Sequence, residues 1–164
     1  IIVMAKGLGS GLPISGIAAS AAIMDKWTPG THGGTYGGGS AIASAAACAT
    51  IEVIHQEQLT QNALFRGQQL QEGLKKLQKQ YPVMGDIRGK GLMTAVEFTN
   101  PQGQPDAAAT NAVLQACIKQ QLLLLSCGTY KNVIRWIPPL IVTAEEVTRA
   151  LDIFEQALTI SAIG

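Results

Sequence analysis

The sequence predicts an α/β protein in two parts, the edge of an α/β layer followed by a small α+β module. Residues 1–5 form a continuous apolar run with β-branched side chains, which is typical of a strand buried on both faces in a parallel sheet. From Tyr81 onward the pattern indicates strand, strand, helix, strand, strand, helix, an order that favours helices on one face of a largely antiparallel sheet. We therefore expect one domain at residues 1–57 and a second at residues 58–164.

Glycines, prolines and capping residues set the elements of the first part. The opening strand ends at Lys6, and the glycine-rich residues 7–11 form a turn. Residues 13–19 are predicted to be extended and residues 20–27 to form a short helix. Ser40 is a suitable N-cap for a long helix to about residue 56, whose many alanines predict close packing against a neighbouring surface.

The second part begins with a long helix from about residue 59 to 80. Leu70, Leu74 and Leu77 mark its apolar stripe. Thr143 and Glu146 have the spacing of a capping box at the start of the last helix. The remaining elements are two short strands around a glycine turn at residues 85–98, a loop at 100–105, a helix at 107–120, a buried strand at 122–125, a turn at 128–132 and a strand at 133–136.

Composition argues against several classes of function. The chain has 12 basic and 11 acidic residues, so its charge does not favour nucleic acid or an anionic membrane as a partner. No apolar run approaches the roughly 20 residues of a membrane span. The three cysteines are scattered, which fits reduced thiols in the cytoplasm. The two histidines lie at no metal-ligand spacing, so we predict no metal site.

Lys6 is the first candidate for chemistry because it ends an apolar strand and precedes a run of glycines. One interpretation is that a charged side chain marks the point where the chain leaves the core, and position alone favours it. The other interpretation is that a partly buried lysine amine acts as a nucleophile toward a carbonyl group. The glycines beside it would let a flat cofactor approach the backbone.

A second candidate is the glycine-rich loop at residues 32–40, immediately before the long helix. Successive glycines expose backbone N–H groups, the helix N-terminus adds partial positive charge, and a hydroxyl such as that of Thr35 can donate to a phosphate. A flexible turn without a ligand explains the composition equally well. The loop lacks the lysine of a Walker A motif, and residues 7–11 lack the spacing of a dinucleotide-binding fingerprint.

Two arginines are the remaining candidates. Arg135 lies inside an apolar strand, where a charge costs free energy unless it is paired. Its partner is either an internal carboxylate such as Glu97, or a substrate carboxylate bound by two parallel hydrogen bonds. Arg88 has Asp86 two residues away as a local partner, so we assign it a structural role.

Four segments, in this order, resemble the class III aminotransferases, a pyridoxal-phosphate-dependent family that includes 4-aminobutyrate, ornithine and acetylornithine aminotransferases. They are Ala-Lys-Gly-Leu-Gly-Ser-Gly-Leu-Pro-Ile-Ser-Gly at residues 5–16, Thr-His-Gly-Gly-Thr-Tyr-Gly-Gly at 31–38, Asp-Ile-Arg-Gly-Lys-Gly-Leu-Met at 86–93, and Asn-Val-Ile-Arg at 132–135 with Pro-Pro-Leu at 138–140. Residues 124–128, with Tyr130, Asn132 and Arg135, are most similar to the 4-aminobutyrate aminotransferase branch.

The resemblance implies the C-terminal part of the pyridoxal-phosphate aminotransferase fold. Residues 1–57 would form the C-terminal part of the large cofactor-binding domain with a connecting helix, and residues 58–164 the small C-terminal domain. Lys6 matches the lysine that forms a Schiff base with pyridoxal 5'-phosphate and later shuttles a proton. Gly34 and Thr35 match the loop that binds the cofactor phosphate of a neighbouring subunit, which implies a homodimer.

Arg135 matches the arginine that binds a substrate carboxylate. The implied reaction moves an amino group from an ω-amino acid such as 4-aminobutyrate to a 2-oxo acid, in the cytoplasm. A decarboxylase, racemase or aminomutase of the same family is the first alternative, and a folded fragment without catalysis is the second. Many relatives have Asn-Pro where this chain has Gly39 and Ser40, so Ser40 is expected to cap the helix instead.

The chain opens inside a predicted strand, so we expect it to be the C-terminal portion of a longer protein. The family's acidic partner for the pyridine nitrogen, its main phosphate loop and its ring-stacking aromatic all precede this segment. We therefore expect the 164-residue chain alone to be inactive.

Overall fold

The structure, a computed structural model, describes residues 1–31 and 39–161 and divides the chain into two compact units, Ile1–Gln58 and Leu59–Gly164. Over residues 1–31 and 39–58, the first unit contains two short strands, a turn of 3₁₀ helix and two α-helices. The second unit contains four strands and three helices in its described part. Over the described ranges, no helix combines the length and apolar character that a membrane crossing requires.

The two strands of the first unit form a small antiparallel sheet. Strand β1, Ile2–Met4, pairs with β2, Gly16–Ala18, and a turn of 3₁₀ helix, Lys6–Gly9, follows β1. The expectation of a parallel strand buried on both faces is wrong, because the side chains of Ile2 and Val3 are 64% and 74% exposed. Burial on both faces needs further strands and covering helices, and β1 has β2 as its one strand neighbour in the part of the chain described.

Two helices complete the first unit, α1 at Ala21–Met24 and α2 at Ala41–Gln56. The predicted cap of α2 is confirmed, since the Ser40 hydroxyl oxygen accepts a hydrogen bond from the backbone N–H of Ala43 at 3.4 Å. Close packing holds for one side of the helix, where Ala43 and Ala47 are buried. The opposite side is exposed.

The second unit is a four-stranded antiparallel sheet in the order β3-β4-β6-β5, with three helices packed on one face. Alternate residues of β4 and β6 point toward these helices, so Val96 and Ile134 are buried while their neighbours Ala95 and Arg135 face the opposite side. This confirms the expected small α+β module. The elements are α3 Leu59–Gln78, β3 Met84–Lys90, β4 Met93–Phe98, α4 Ala107–Lys119, β5 Leu125–Cys127, β6 Val133–Trp136 and α5 Ala144–Ile160.

The core lies between the sheet and its helices. The predicted capping box of α5 is present, with the Thr143 hydroxyl accepting from the Glu146 N–H at 3.2 Å and the Glu146 carboxylate accepting from the Thr143 N–H at 2.8 Å. Phe154 of α5 meets Trp136 of β6 edge to face, with ring centroids 5.1 Å apart. The largest fully buried apolar side chains are Phe98, Phe154, Leu70, Leu74, Met84, Ile134 and Val96.

The predicted buried strand at residues 122–125 is wrong. Strand β5 begins at Leu125, where it pairs with Arg135, and Leu123 and Leu125 are 81% and 60% exposed. Continuing the pairing toward residue 122 would require a partner at Pro138, which has no N–H to donate to a ladder. The two chain segments therefore separate at this point.

Helix α3 closely approaches the turn between β3 and β4 at Gly67 and Gly91. A Cβ atom on the buried Gly67 would collide with the backbone carbonyl of Gly91, and a backbone group cannot rotate aside as the end of a side chain can. We expect Gly67→Ala to lower the free energy of unfolding of the chain by about 1–3 kcal/mol. Urea unfolding followed by circular dichroism measures this.

Gly73 of the same helix is the matched control. An added Cβ there would meet the side chain of Leu151, which can rotate away, and alanine is the better helix former. Gly73→Ala should therefore lower the free energy of unfolding clearly less than Gly67→Ala does. Equal losses for the two variants would show that backbone collision is not the cause.

Candidate active site

Lys6 has an unusual backbone conformation. It directly follows β1 and begins the 3₁₀ turn with a φ of +53°, in the left-handed region that residues other than glycine seldom adopt. Strain of this kind clusters at functional sites, and Ser10, Gln58, Gln121 and Lys131 also have a positive φ. The side chain is exposed, and its amine has no hydrogen-bond or ion-pair partner within the described ranges.

The turn after Lys6 is attached to α2. The Thr50 hydroxyl of α2 donates to the Ser10 hydroxyl at 3.0 Å. Gly9 is buried, and a Cβ there would lie 2.8 Å from a methyl carbon of Ile14, so the chain folds back tightly on itself. The turn therefore holds the backbone of Lys6 at a fixed position relative to α2.

The predicted phosphate-binding residues Gly34 and Thr35 lie outside the described residues. The structure resumes at Gly39, whose φ of +125° suits glycine, and at Ser40, which caps α2 as expected. The 16-residue helix α2 begins at Ala41, directly after this cap. A helix start of this length provides partial positive charge at its first backbone N–H groups.

Arg135 lies on the face of the sheet that the helices leave uncovered. Its neighbours in register are Ala95 on β4 and Leu125 on β5. The side chain is exposed, and no ion pair to Arg135 is found among residues 1–31 and 39–161. The suggested internal partner Glu97 is engaged elsewhere.

Glu97 pairs with Arg88. The Arg88 guanidinium donates to the Asp86 carboxylate at 2.6 Å and to the Glu97 carboxylate at 2.7 Å. These hydrogen bonds, first from Asp86 and then from Glu97, raise the pKa of Arg88. The expected contact between Arg88 and Asp86 is thus confirmed, and Glu97 is an additional partner.

A cleft of about 520 Å³ opens beside Arg135, where residues 122–124 and the chain after β6 separate. The indole N–H of Trp136 is buried in the same region and has no hydrogen-bond partner in the described part of the chain. The sequence interpretation missed this cleft because it extended β5 across it; the two prolines at 138 and 139 were the available signal. The walls are mainly apolar and include Leu70, Leu122, Leu124, Trp136, Pro139 and Val147.

The cysteines and acidic residues form no metal cluster in the described portion of the chain. Cys48 is exposed, Cys127 is half-buried, and burial raises the pKa of the Cys117 thiol to about 11. A thiol with such a pKa stays protonated near neutral pH and is a poor nucleophile. Cys117 therefore acts as a small core side chain.

The sequence profile of the class III aminotransferases matches residues 1–158, a range that includes both Lys6 and Arg135. The chain belongs to the class III aminotransferase family. Within this family it is 44% identical over 155 residues to 5-aminovalerate aminotransferase DavT of Pseudomonas putida, covering 93% of this chain and 36% of that protein. The chain thus spans about a third of the length of this relative.

Two further relatives are informative. The chain is 38% identical over 154 residues to 4-aminobutyrate aminotransferase GabT of Escherichia coli, covering 93% of this chain and 36% of GabT. It is also 38% identical to an alanine/serine racemase of Pyrococcus horikoshii over all 164 residues, which is 34% of that protein.

A solved aminotransferase structure confirms the predicted fold. The ornithine aminotransferase of Toxoplasma gondii superposes with a TM-score of 0.84 at 33% identity, covering 98% of this chain and 37% of that one. The described elements therefore form part of a pyridoxal-phosphate aminotransferase fold.

Proposed function

We propose that this chain is part of a pyridoxal-phosphate-dependent aminotransferase that moves an amino group from an ω-amino acid, such as 5-aminovalerate or 4-aminobutyrate, to a 2-oxo acid. The main support is the family match across both Lys6 and Arg135, together with the donors named for two similar proteins. Because the chain spans about a third of these relatives, we propose the activity for a polypeptide of their length that contains this sequence.

Lys6 fits the role of the cofactor-holding lysine. Its amine has no competing partner in the described chain, and the anchored turn fixes its backbone. When bound, pyridoxal 5'-phosphate supplies an electron sink that stabilises negative charge at the substrate carbon. Lys6 would hold the cofactor aldehyde through its Nζ and, once released, would use the same nitrogen to carry a proton.

Gly34 and Thr35 are the residues that we propose for the cofactor phosphate. The N-terminus of α2 follows their loop, and helix N-termini stabilise bound anions. The family resemblance implies that this phosphate belongs to the cofactor of a neighbouring subunit, so we propose a homodimer. The free cysteines fit the reducing environment of the cytoplasm, where we place the enzyme.

Arg135 is the residue that we propose for the substrate carboxylate. It is exposed on the uncovered sheet face, and the small Ala95 beside it leaves room for a ligand. Both an ω-amino acid and a 2-oxo acid carry a carboxylate, which a guanidinium binds through two parallel hydrogen bonds. One arginine could therefore orient both substrates in turn.

Racemisation is the second candidate, because the similarity to the alanine/serine racemase extends over all 164 residues. A racemase and an aminotransferase share proton removal at the carbon that bears the amino group. They differ in the next step, since a racemase returns the proton and keeps the amino group on its substrate. Lys6 could carry the proton in either reaction.

A chimera in which these residues replace the matching third of the Pseudomonas putida protein separates these functions. Loaded with pyridoxal 5'-phosphate, it would be given 2-oxoglutarate with 5-aminovalerate, 4-aminobutyrate, ornithine or L-alanine, and glutamate would be measured. We expect the fastest formation of glutamate with the first two donors. D-Alanine formed from L-alanine without glutamate would favour the racemase. The absence of both glutamate and D-alanine would favour a non-catalytic fragment.

A further inference from the structure

Glu97 lies between two arginines on the uncovered face of the sheet. Strand β3 places Asp86 opposite Glu97 and Arg88 opposite Ala95. Strand β6 places Arg135 opposite Ala95 on the other side. Arg88 and Arg135 therefore occupy equivalent diagonal positions on the two sides of Glu97.

Both arginines are within reach of the Glu97 carboxylate by register. Diagonal neighbours on antiparallel strands are about 7–8 Å apart, a gap that glutamate and arginine side chains can span together. The Glu97 carboxylate nevertheless turns to one side, where its Oε2 accepts from Arg88 at 2.7 Å. In the described part of the chain, Arg135 is left without an ion pair.

Glu97 pairs with Arg88, and not with Arg135, for a local reason. Asp86 and Glu97 are directly opposite each other, and like charges in this position repel. One Arg88 nitrogen, Nη1, bridges both carboxylates at 2.6 and 2.7 Å, which removes the repulsion. The other oxygen of Glu97 accepts a long contact of 3.5 Å from the buried Asn132, whose amide also donates to the Phe98 carbonyl at 3.0 Å.

We propose that Arg88 is a positioning residue that holds Glu97 away from Arg135 and so keeps the Arg135 guanidinium available for a substrate carboxylate. The inference rests on the proposed carboxylate-binding role of Arg135. Without Arg88, Glu97 has one arginine left within reach, and it then competes with the substrate for that group. The resulting ion pair would be solvent-exposed, so we expect a loss of affinity of about two- to five-fold.

Nuclear magnetic resonance of the ¹⁵N-labelled 164-residue chain tests this, with the Arg135 Nε–Hε signal as the readout and butyrate as the carboxylate probe. In the wild-type chain butyrate should shift the signal. Arg88→Gln should raise the butyrate concentration at half-saturation about two- to five-fold, and adding Glu97→Gln should restore it. Arg88→Lys keeps a cation beside Glu97 and should stay close to wild type.

Lys90→Gln is the matched control. Lys90 lies two residues further along β3 on the same face and makes no ion pair in the described chain, so its loss removes one positive charge without releasing Glu97. It should leave the butyrate titration unchanged. The positioning role of Arg88 would be overturned if Lys90→Gln lowered the butyrate affinity as much as Arg88→Gln does. It would also be overturned if adding Glu97→Gln to Arg88→Gln did not restore the wild-type affinity.

A pH titration without butyrate separates this inference from the proposed function. In Arg88→Gln, the Arg135 signal should follow the protonation of a carboxylate, and this dependence should vanish when Glu97→Gln is added. If butyrate fails to shift Arg135 in the wild-type chain, the carboxylate-binding role of Arg135 is wrong. The pH titration then tests the positioning role of Arg88 by itself. An Arg135 signal that does not change with pH in Arg88→Gln would overturn that role.

Discussion

Replacing Lys6 with alanine in the chimera is expected to lower kcat for transamination by about 10²–10⁴-fold, the range that a single proton-transferring side chain contributes. In the role proposed for Lys6, the amine both attaches the cofactor covalently and carries the proton, so its loss would remove both functions. Lys6→Arg should fail equally, because a guanidinium keeps the positive charge but is neither a nucleophile nor a proton carrier near neutral pH. Rates of glutamate formation from 5-aminovalerate measure the effect.

Mass spectrometry gives an independent readout of the same prediction. Borohydride reduction should fix the mass of the cofactor on the peptide that contains Lys6, and no such peptide should appear for Lys6→Ala. Lys26→Ala is the matched control, since Lys26 is an exposed lysine of the same unit that follows α1. Full activity in Lys6→Ala, or a reduced cofactor adduct on Lys26, would show that Lys6 is not the residue that holds the cofactor.

Local hydrogen bonding explains which elements could be predicted from the sequence. Ser40 and Thr143 are recognisable as caps because a cap joins a side chain to a backbone N–H only three residues away. The stripe Leu70, Leu74 and Leu77 is equally readable, since one helix face is fixed by a repeat of 3.6 residues. Such features need no knowledge of distant parts of the chain.

The parts that could not be predicted depend on partners far away in sequence. The strand predicted at residues 122–125 begins later in the structure because its end is set by Pro138, beyond another strand. The ion-pair partner of Glu97 could not be predicted from the sequence, because only the strand register shows that both Arg88 and Arg135 lie diagonal to Glu97. The left-handed backbone of Lys6 likewise comes from the packing of its turn and has no signal in residue type.

The core of the second unit depends heavily on Phe154, and Phe154→Ala is expected to lower its free energy of unfolding by about 3–5 kcal/mol. The side chain is 0% exposed and packs edge to face against Trp136. Its removal leaves a cavity between α5 and the sheet and also forfeits the aromatic contact, which adds to the loss of buried area. For a domain whose total stability is about 5–15 kcal/mol, such a loss approaches complete unfolding.

Phe65 provides a control with the same chemical deletion, because it lies on α3 of the same unit and is 57% exposed. Phe65→Ala should change the free energy of unfolding by no more than about 0.5 kcal/mol, as is usual for surface positions. Urea unfolding of both variants, followed by circular dichroism, measures the difference. Similar losses at the two positions would mean that the helices do not cover the sheet at Phe154, and the face assigned to Arg135 would then be wrong as well.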